Sequence, residues 1–129
     1  MLIGQVAGRA GVPAKTIRFW EDRHLLPPPA RTPAGYRDYG LAVLDRIGFI
    51  RQAQAAGLTL DAIAQILGIR DRGQPPCAHL TALITRRLAE VQARLAELAR
   101  ARDQLAALAE RAAAQDPADC HGYCSIITG

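Results

Sequence analysis

Between Leu80 and Ala114 the chain contains neither Gly nor Pro, and its apolar residues fall at a fixed spacing. From Ile84 the steps to Leu88, Val91, Leu95 and Leu98 are four, three, four and three residues, and Leu105 continues the series. That alternation keeps one narrow stripe on one side of a helix. Ala, Leu, Glu, Gln and Arg fill most of the rest, and all are good helix formers. A helix of this length spans about 50 Å. A stripe so thin on a rod so long cannot be covered by the little chain that remains. It needs a second rod, and the same helix of a second copy is the expected one, which makes the protein a homodimer. Arg102 interrupts the stripe, and its long stem can lie along the groove.

The remaining sequence limits what precedes and follows that rod. The 129 residues suit one modest domain with an appended element. No apolar run is long enough to span a bilayer, so no membrane partner is expected. Met1-Leu2-Ile3-Gly4 lacks the layout of a secretion signal. The expected setting is cytoplasmic. The net charge of +4 lies in the front: residues 1–72 hold ten basic and six acidic side chains, and residues 73–129 hold six of each. A basic front suits a polyanion such as double-stranded DNA, although a charge of this size is also that of an ordinary solvated surface. Three Cys is an odd count, which argues against a disulfide framework and for metal or redox chemistry.

In the front, Ile3, Val6, Ala7 and Ala10 share one helical face, and Gly11 stops that helix. Pro13 opens a second helix to about Arg23, with Ile17 and either Trp20 or Phe19 inward. Two short helices joined by a Gly-containing turn are a helix-turn-helix pattern. The second helix offers Lys15, Thr16 and Arg18, a basic and short-polar face suited to phosphates and base edges. Pro27-Pro28-Pro29 ends this unit. Arg31 to Arg37 then predicts a short hairpin, or wing, turning at Ala34-Gly35. Arg31, Tyr36 and Arg37 flank that turn and can grip phosphates beside a groove. Solvated surface Arg is the plainer reading of the same residues.

Two more helices are predicted. One spans Leu41 to Ala56, with Leu44, Ile47, Ile50 and Ala53 inward and Gly57 as its C-cap. The next is capped by Thr59 or Asp61, carries Leu60, Ile63, Ile66 and Leu67, and ends at Gly68. Arg46 and Arg51 are candidates to reach a DNA backbone. The expected divisions are a DNA-binding domain over 1–72, a linker over 73–79, a dimerisation helix over 80–114, and a metal-binding loop and tail over 115–129.

Two Cys lie in the tail, in Asp119-Cys120-His121-Gly122-Tyr123-Cys124. Gly122 permits a tight turn around a central atom. Cys120, His121 and Cys124 offer up to three soft or borderline donors within five residues. If two rods pair antiparallel, the start of one lies beside the end of the other. Cys77 of one chain then approaches Cys120, His121 and Cys124 of its partner. Such a donor set suits a borderline or soft divalent ion. A Cys120–Cys124 redox disulfide and a near-linear copper(I) site remain open alternatives. An enzyme is not expected, because nothing in the sequence points to a pocket-forming architecture around the cluster. His79 is read as a solvated rod residue or a group beside the ligands, and His24 has no special role.

Taken together, these stretches resemble the MerR family of transcription regulators. The resemblance is carried by Ile3-Gly4-Gln5-Val6-Ala7, Gly11-Val12, Thr16-Ile17-Arg18-Phe19-Trp20-Glu21, Leu25-Leu26-Pro27, Arg31, Gly35-Tyr36-Arg37-Asp38-Tyr39, Phe49-Ile50-Arg51 and Gly57-Leu58-Thr59-Leu60-Asp61-Ala62-Ile63. It implies a mainly α fold: a winged helix-turn-helix domain, a long antiparallel coiled-coil dimerisation helix, and a C-terminal metal-binding loop. It places Thr16 and Arg18 on the recognition helix and Arg31, Tyr36 and Arg37 on the wing. Trp20 stands where members often carry Tyr, and its indole N–H can replace that hydroxyl at a phosphate. The metal-sensing branch is the nearest likeness. Its divalent-ion sensors tend to carry Cys where Cys77 stands, whereas copper(I) sensors tend to carry Ser, so the resemblance implies zinc, mercury, cadmium or lead. The interval between Cys120 and Cys124 is shorter than in the familiar types, which leaves the coordination number open. The resemblance also implies promoter DNA and RNA polymerase as partners, with the metal-bound form distorting a promoter for metal resistance or efflux.

Overall fold

A computed structural model describes residues 1–119 and 122–129. It divides into two compact units, Met1–Arg87 and Leu88–Gly129.

The first unit begins with α1 (Ile3–Ala10) and α2 (Ala14–Asp22). Gly11 ends α1 in the left-handed region, with φ of 69°, and donates its N–H to the Ala7 carbonyl at 3.0 Å. A side chain there would be strained, so the tight turn depends on Gly. Pro13 then caps α2 in extended conformation, and its carbonyl receives the Thr16 and Ile17 amides. Ile17 and Trp20 are buried and Phe19 is exposed, since a step of three keeps Ile17 and Trp20 on one side. Past α2, His24 takes a positive φ of 61°, and Leu25 and Leu26 turn back into the core.

Strands β1 (Ala30–Arg31) and β2 (Arg37–Asp38) pair antiparallel, Ala30 opposite Asp38 and Arg31 opposite Arg37. The turn between them closes with the Gly35 N–H on the Thr32 carbonyl at 2.8 Å. Gly35 itself has φ of 88°. The predicted wing is present, with Pro33 and Ala34 at its tip.

Helix α3 (Ala42–Ala55) buries Ile47, Ile50 and Ala53; α4 (Leu60–Asp71) buries Ile63, Ile66 and Leu67. Thr59 caps α4, its Oγ1 accepting the Ala62 N–H at 3.1 Å. The predicted stop at Gly68 is not observed. Helix α4 runs on to Asp71, where Arg46 of α3 holds it by two hydrogen bonds of 2.7 and 2.9 Å. Ile47, Ile50, Ala53, Ile63 and Leu67, with Val6, Ile17, Trp20, Leu25, Leu26 and Tyr39, form one core.

Helix α5 (Cys77–Ala114) starts three residues before the predicted rod, so only residues 72–76 connect it to α4. Pro76 immediately precedes it, and its carbonyl accepts the Leu80 N–H at 2.9 Å. Leu83 is buried in the first unit.

The second unit holds the rest of α5, a 3-10 turn at Pro117–Asp119 and the short helix α6 (Ser125–Thr128). The Arg111 guanidinium donates to the Ser125 carbonyl at 3.3 Å. Leu88, Leu95, Leu98 and Leu105 are each more than half exposed. Among the described residues, no helix is long and apolar enough to cross a membrane.

Candidate nucleic-acid interface and metal donors

The turn at Gly11 presents one side of α2 outward. Lys15 and Arg18 are exposed there and Thr16 is half-buried. Arg31 and Tyr36 are exposed on the wing, Tyr36 at 66%. A surface groove of about 640 Å³ between the start of α1, α2 and the wing is lined by Arg18, Arg31, Tyr36 and Arg37 together with Gln5 and Ile3. The structure thus gathers four of the predicted contact residues along one groove. Lys15 and Thr16 lie outside its lining, one turn earlier on α2. Three guanidinium groups along one groove form a surface suited to the phosphates of a duplex.

Trp20 is the exception among the predicted contacts. Its side chain is 3% exposed within the core, so its indole is not offered to solvent. The aromatic on the outer face of α2 is Phe19 instead, 45% exposed, with the Arg23 guanidinium 5.8 Å from its ring centre. Either aromatic fitted the helical period, and packing within the core shared with Val6 and Ile50 selected Trp20 for the interior.

Arg37 is also less free than the sequence suggests. Its Nε donates to Glu21 Oε2 at 3.1 Å. The Tyr39 hydroxyl donates to the same oxygen at 3.0 Å. Glu21, near the end of α2, thereby ties that helix to the second wing strand and to the residue after it. Burial pushes the Tyr39 phenol up to about 12, helped by the hydrogen bond and charge of Glu21 and opposed by Arg37 and Arg31. Sequence reasoning gave Glu21 no role. The available signal was a pair of acids, Glu21 and Asp22, closing a helix that otherwise offers Lys15 and Arg18 to phosphate. Arg31 braces the wing from within, donating to the Gly35 carbonyl at 3.2 Å.

Arg46 and Arg51 both bond to the backbone of their own domain, Arg46 largely covered and Arg51 exposed. Arg46 donates to the Leu25 carbonyl at 2.6 Å and clasps Asp71, whose carboxyl is held below the usual range chiefly by those hydrogen bonds. Arg51 donates to the Ala10 carbonyl at 2.8 Å, at the C-terminal end of α1.

Of the predicted metal donors, Cys77 and Cys124 are described, and both are free and exposed. Cys120 and His121 lie outside the described residues. Cys77 is the first residue of α5, where the helix amides favour negative charge. Cys124 caps α6, two residues after Gly122, whose φ is 65°. Exposed thiols at two helix starts fit the chemistry of a soft ion. Among the described residues no three His, Cys, Asp or Glu side chains gather within one chain. His79 is exposed, its Nε2 3.3 Å from Gln65 Oε1 of α4.

Residues 1–68 match the family model of the MerR HTH family regulatory protein, and residues 44–108 match that of MerR, DNA binding. The chain is 36% identical over 109 residues to the mercuric resistance operon regulatory protein of Bacillus cereus, across 84% of this chain and 83% of that one. It is similar to the transcription regulator PbrR691 of Ralstonia metallidurans CH34, solved in complex with lead(II): TM-score 0.79, 32% identity, 99% of this chain and 97% of that chain. The dual function regulator MerR of Bacillus megaterium MB1, solved with mercury(II), aligns with a TM-score of 0.66 and 30% identity, over 95% of this chain and 92% of that chain.

Proposed function

The chain belongs to the MerR family of transcription regulators, and from that premise we propose that it answers to a soft divalent metal ion (zinc, mercury, cadmium or lead) and activates a metal resistance or efflux promoter by distorting its DNA. The observation that carries the metal reading is Cys77, an exposed thiol on the first residue of the helix that also bears the unpaired apolar stripe. Two such helices running antiparallel bring Cys77 of one copy beside the tail of the other. Cys77, Cys120, His121 and Cys124 then hold the ion between chains. A soft ion supplies thiolate coordination strong enough to join segments that are otherwise separate. The mercury and lead relatives support this choice of ion class.

At the other end of each chain, α2 enters a major groove through Lys15, Thr16 and Arg18, while Arg31 and Tyr36 of the wing meet the backbone beside it. Arg37 holds the wing in place and presents its remaining N–H groups to the same strand. A dimer places its two recognition helices about 34–36 Å apart, or a multiple of that, on a near-palindromic promoter. Joining the tail of one copy to the helix start of the other changes the angle between the two DNA-binding domains. Bending a site costs about 1–6 kcal/mol, which interfaces of this kind can supply. RNA polymerase then engages promoter elements that the bend has realigned. Metal and distorted DNA must tighten each other's binding by the same factor.

Competition titrations with zinc, mercury, lead and copper(I), on the parent chain and on Cys77→Ser, test the reading. We expect Cys77→Ser to weaken divalent-ion binding at least tenfold. Unchanged divalent binding removes Cys77 from the site. One copper(I) per tail loop, bound equally well without Cys77, converts the protein to a copper(I) sensor.

A further inference from the structure

Leu88, Val91, Leu95, Leu98 and Leu105 are all exposed on α5, and Arg102 occupies the remaining place in their spacing. A charge in an apolar seam is costly unless it is paired or its head reaches water. The residues that flank Arg102 along the seam are Leu98, Ala99, Ala101, Leu105 and Ala106, and none is acidic. Asp103, which accepts from the Arg102 guanidinium at 3.1 Å, follows it on the outer side of the helix.

The two possible directions of pairing treat this arginine differently. A parallel, in-register pair sets every seam residue beside its own copy. Arg102 would then face the partner's Arg102 across an apolar seam, a like-charge contact in which each arginine has only its own Asp103, on the outer side of the helix, to offset it. An antiparallel pair sets the two kinds of seam step against each other. Leu95 then faces the partner's Leu98, Leu88 faces the partner's Leu105, and Arg102 faces the partner's Val91. All six positions find a partner, and no charge meets its like. Val91 is the smallest apolar side chain of the set, which leaves room for the arginine stem. Sliding by one heptad in either direction is worse. One slip places Arg102 on Leu98 and leaves Leu88 facing Ala112; the other places it on Ile84 and leaves Leu105 facing Thr81.

We propose that Arg102 fixes the direction and register of the paired helices by facing Val91 of the second copy. This rests on the homodimer reading above and adds to it the residue that excludes the parallel alternative. On one helix, positions 91 and 102 are about 16 Å apart. That exceeds the screening length of about 8 Å at physiological salt, so coupling between them reports contact across the pair.

The test is a double-mutant cycle on the dimer dissociation constant of the full chain, measured by sedimentation at physiological salt. Its members are the parent, Val91→Glu, Arg102→Leu and the double variant. We expect Val91→Glu to weaken the dimer at least tenfold more in the Arg102→Leu background than in the parent, because Arg102 offsets the buried carboxylate. Ile84→Glu, which meets Arg102 only in a register slipped by one heptad, should show no such dependence. Should Val91→Glu dissociate both backgrounds beyond measurement, Val91→Gln, a milder acceptor, gives the same comparison. Equal cost in both backgrounds, or dependence transferred to Ile84, overturns the proposal while leaving the dimer intact. A parent chain that stays monomeric at every concentration overturns the homodimer reading itself.

Discussion

One carboxylate oxygen of Glu21 receives both the Arg37 guanidinium and the Tyr39 hydroxyl. Glu21 and Arg37 are 13% and 27% exposed, so solvent screens this pair only partly. Removing the acceptor leaves a buried phenol without a partner and loosens the wing. We expect Glu21→Ala to cost about 1–3 kcal/mol of stability and to weaken promoter binding, read by denaturant melts and by DNA titration at fixed salt. A stability loss with unchanged DNA affinity would show that the wing does not depend on this tie. Tyr39 adds a dependence on pH. Its folded phenol is raised from 10.0 to about 12, so the folded chain keeps a proton that the unfolded chain releases. The stability it contributes is complete below about pH 10 and disappears as the pH rises towards about 12. Alkaline melts of Tyr39→Phe should lose that part of the slope.

Among the elements, the helices owe their ends to short local signals. Thr59 is extended and caps α4 with its hydroxyl, with no other residue needed. Thr59→Ala should cost about 1 kcal/mol in a thermal or denaturant melt; no change would mean that packing of Ile63, Ile66 and Leu67 alone sets the start of α4. The other end of α4 behaves differently. Gly68 is a poor helix residue by propensity, yet the helix continues past it to Asp71, where Arg46 supplies a bidentate clasp from α3. A contact from a distant element therefore overrode a local stop. The early start of α5 has a local cause, because Pro76 suits the place just before a helix and Cys77 can open it.

For the whole molecule, the exposed stripe on α5 is the main debt left by the fold. Leucines at 88, 95, 98 and 105 are each at least 52% exposed in one chain. Covering a Leu side chain contributes about 1.5–3 kcal/mol, so a second copy gains several such terms at once. Leu95→Arg should convert the dimer to monomer in sedimentation, remove divalent-ion binding that spans the two chains, and leave the melt of the DNA-binding domain nearly unchanged. Retained metal binding in that monomer would show that the tail holds the ion by itself.

Much of this was readable in the chain because it rests on local physics. A repeat of four and three residues makes a helix with one apolar stripe wherever it occurs. Gly11 and Gly35 supply backbone angles that other residues adopt only under strain, so the turn of the helix pair and the tip of the wing were fixed in advance. Lys15, Arg18 and Arg31 were legible as an exposed basic set, with Tyr36 beside them, for the same reason. Three-dimensional packing decided what spacing alone leaves equal. It chose Trp20 over Phe19 for the core, gave Glu21 to Arg37 and Tyr39, and set Arg46 on Leu25 and Asp71 and Arg51 on the end of α1. Those choices depend on which distant atoms arrive within hydrogen-bond reach, about 3 Å, and no periodicity along one strand of residues encodes that arrival.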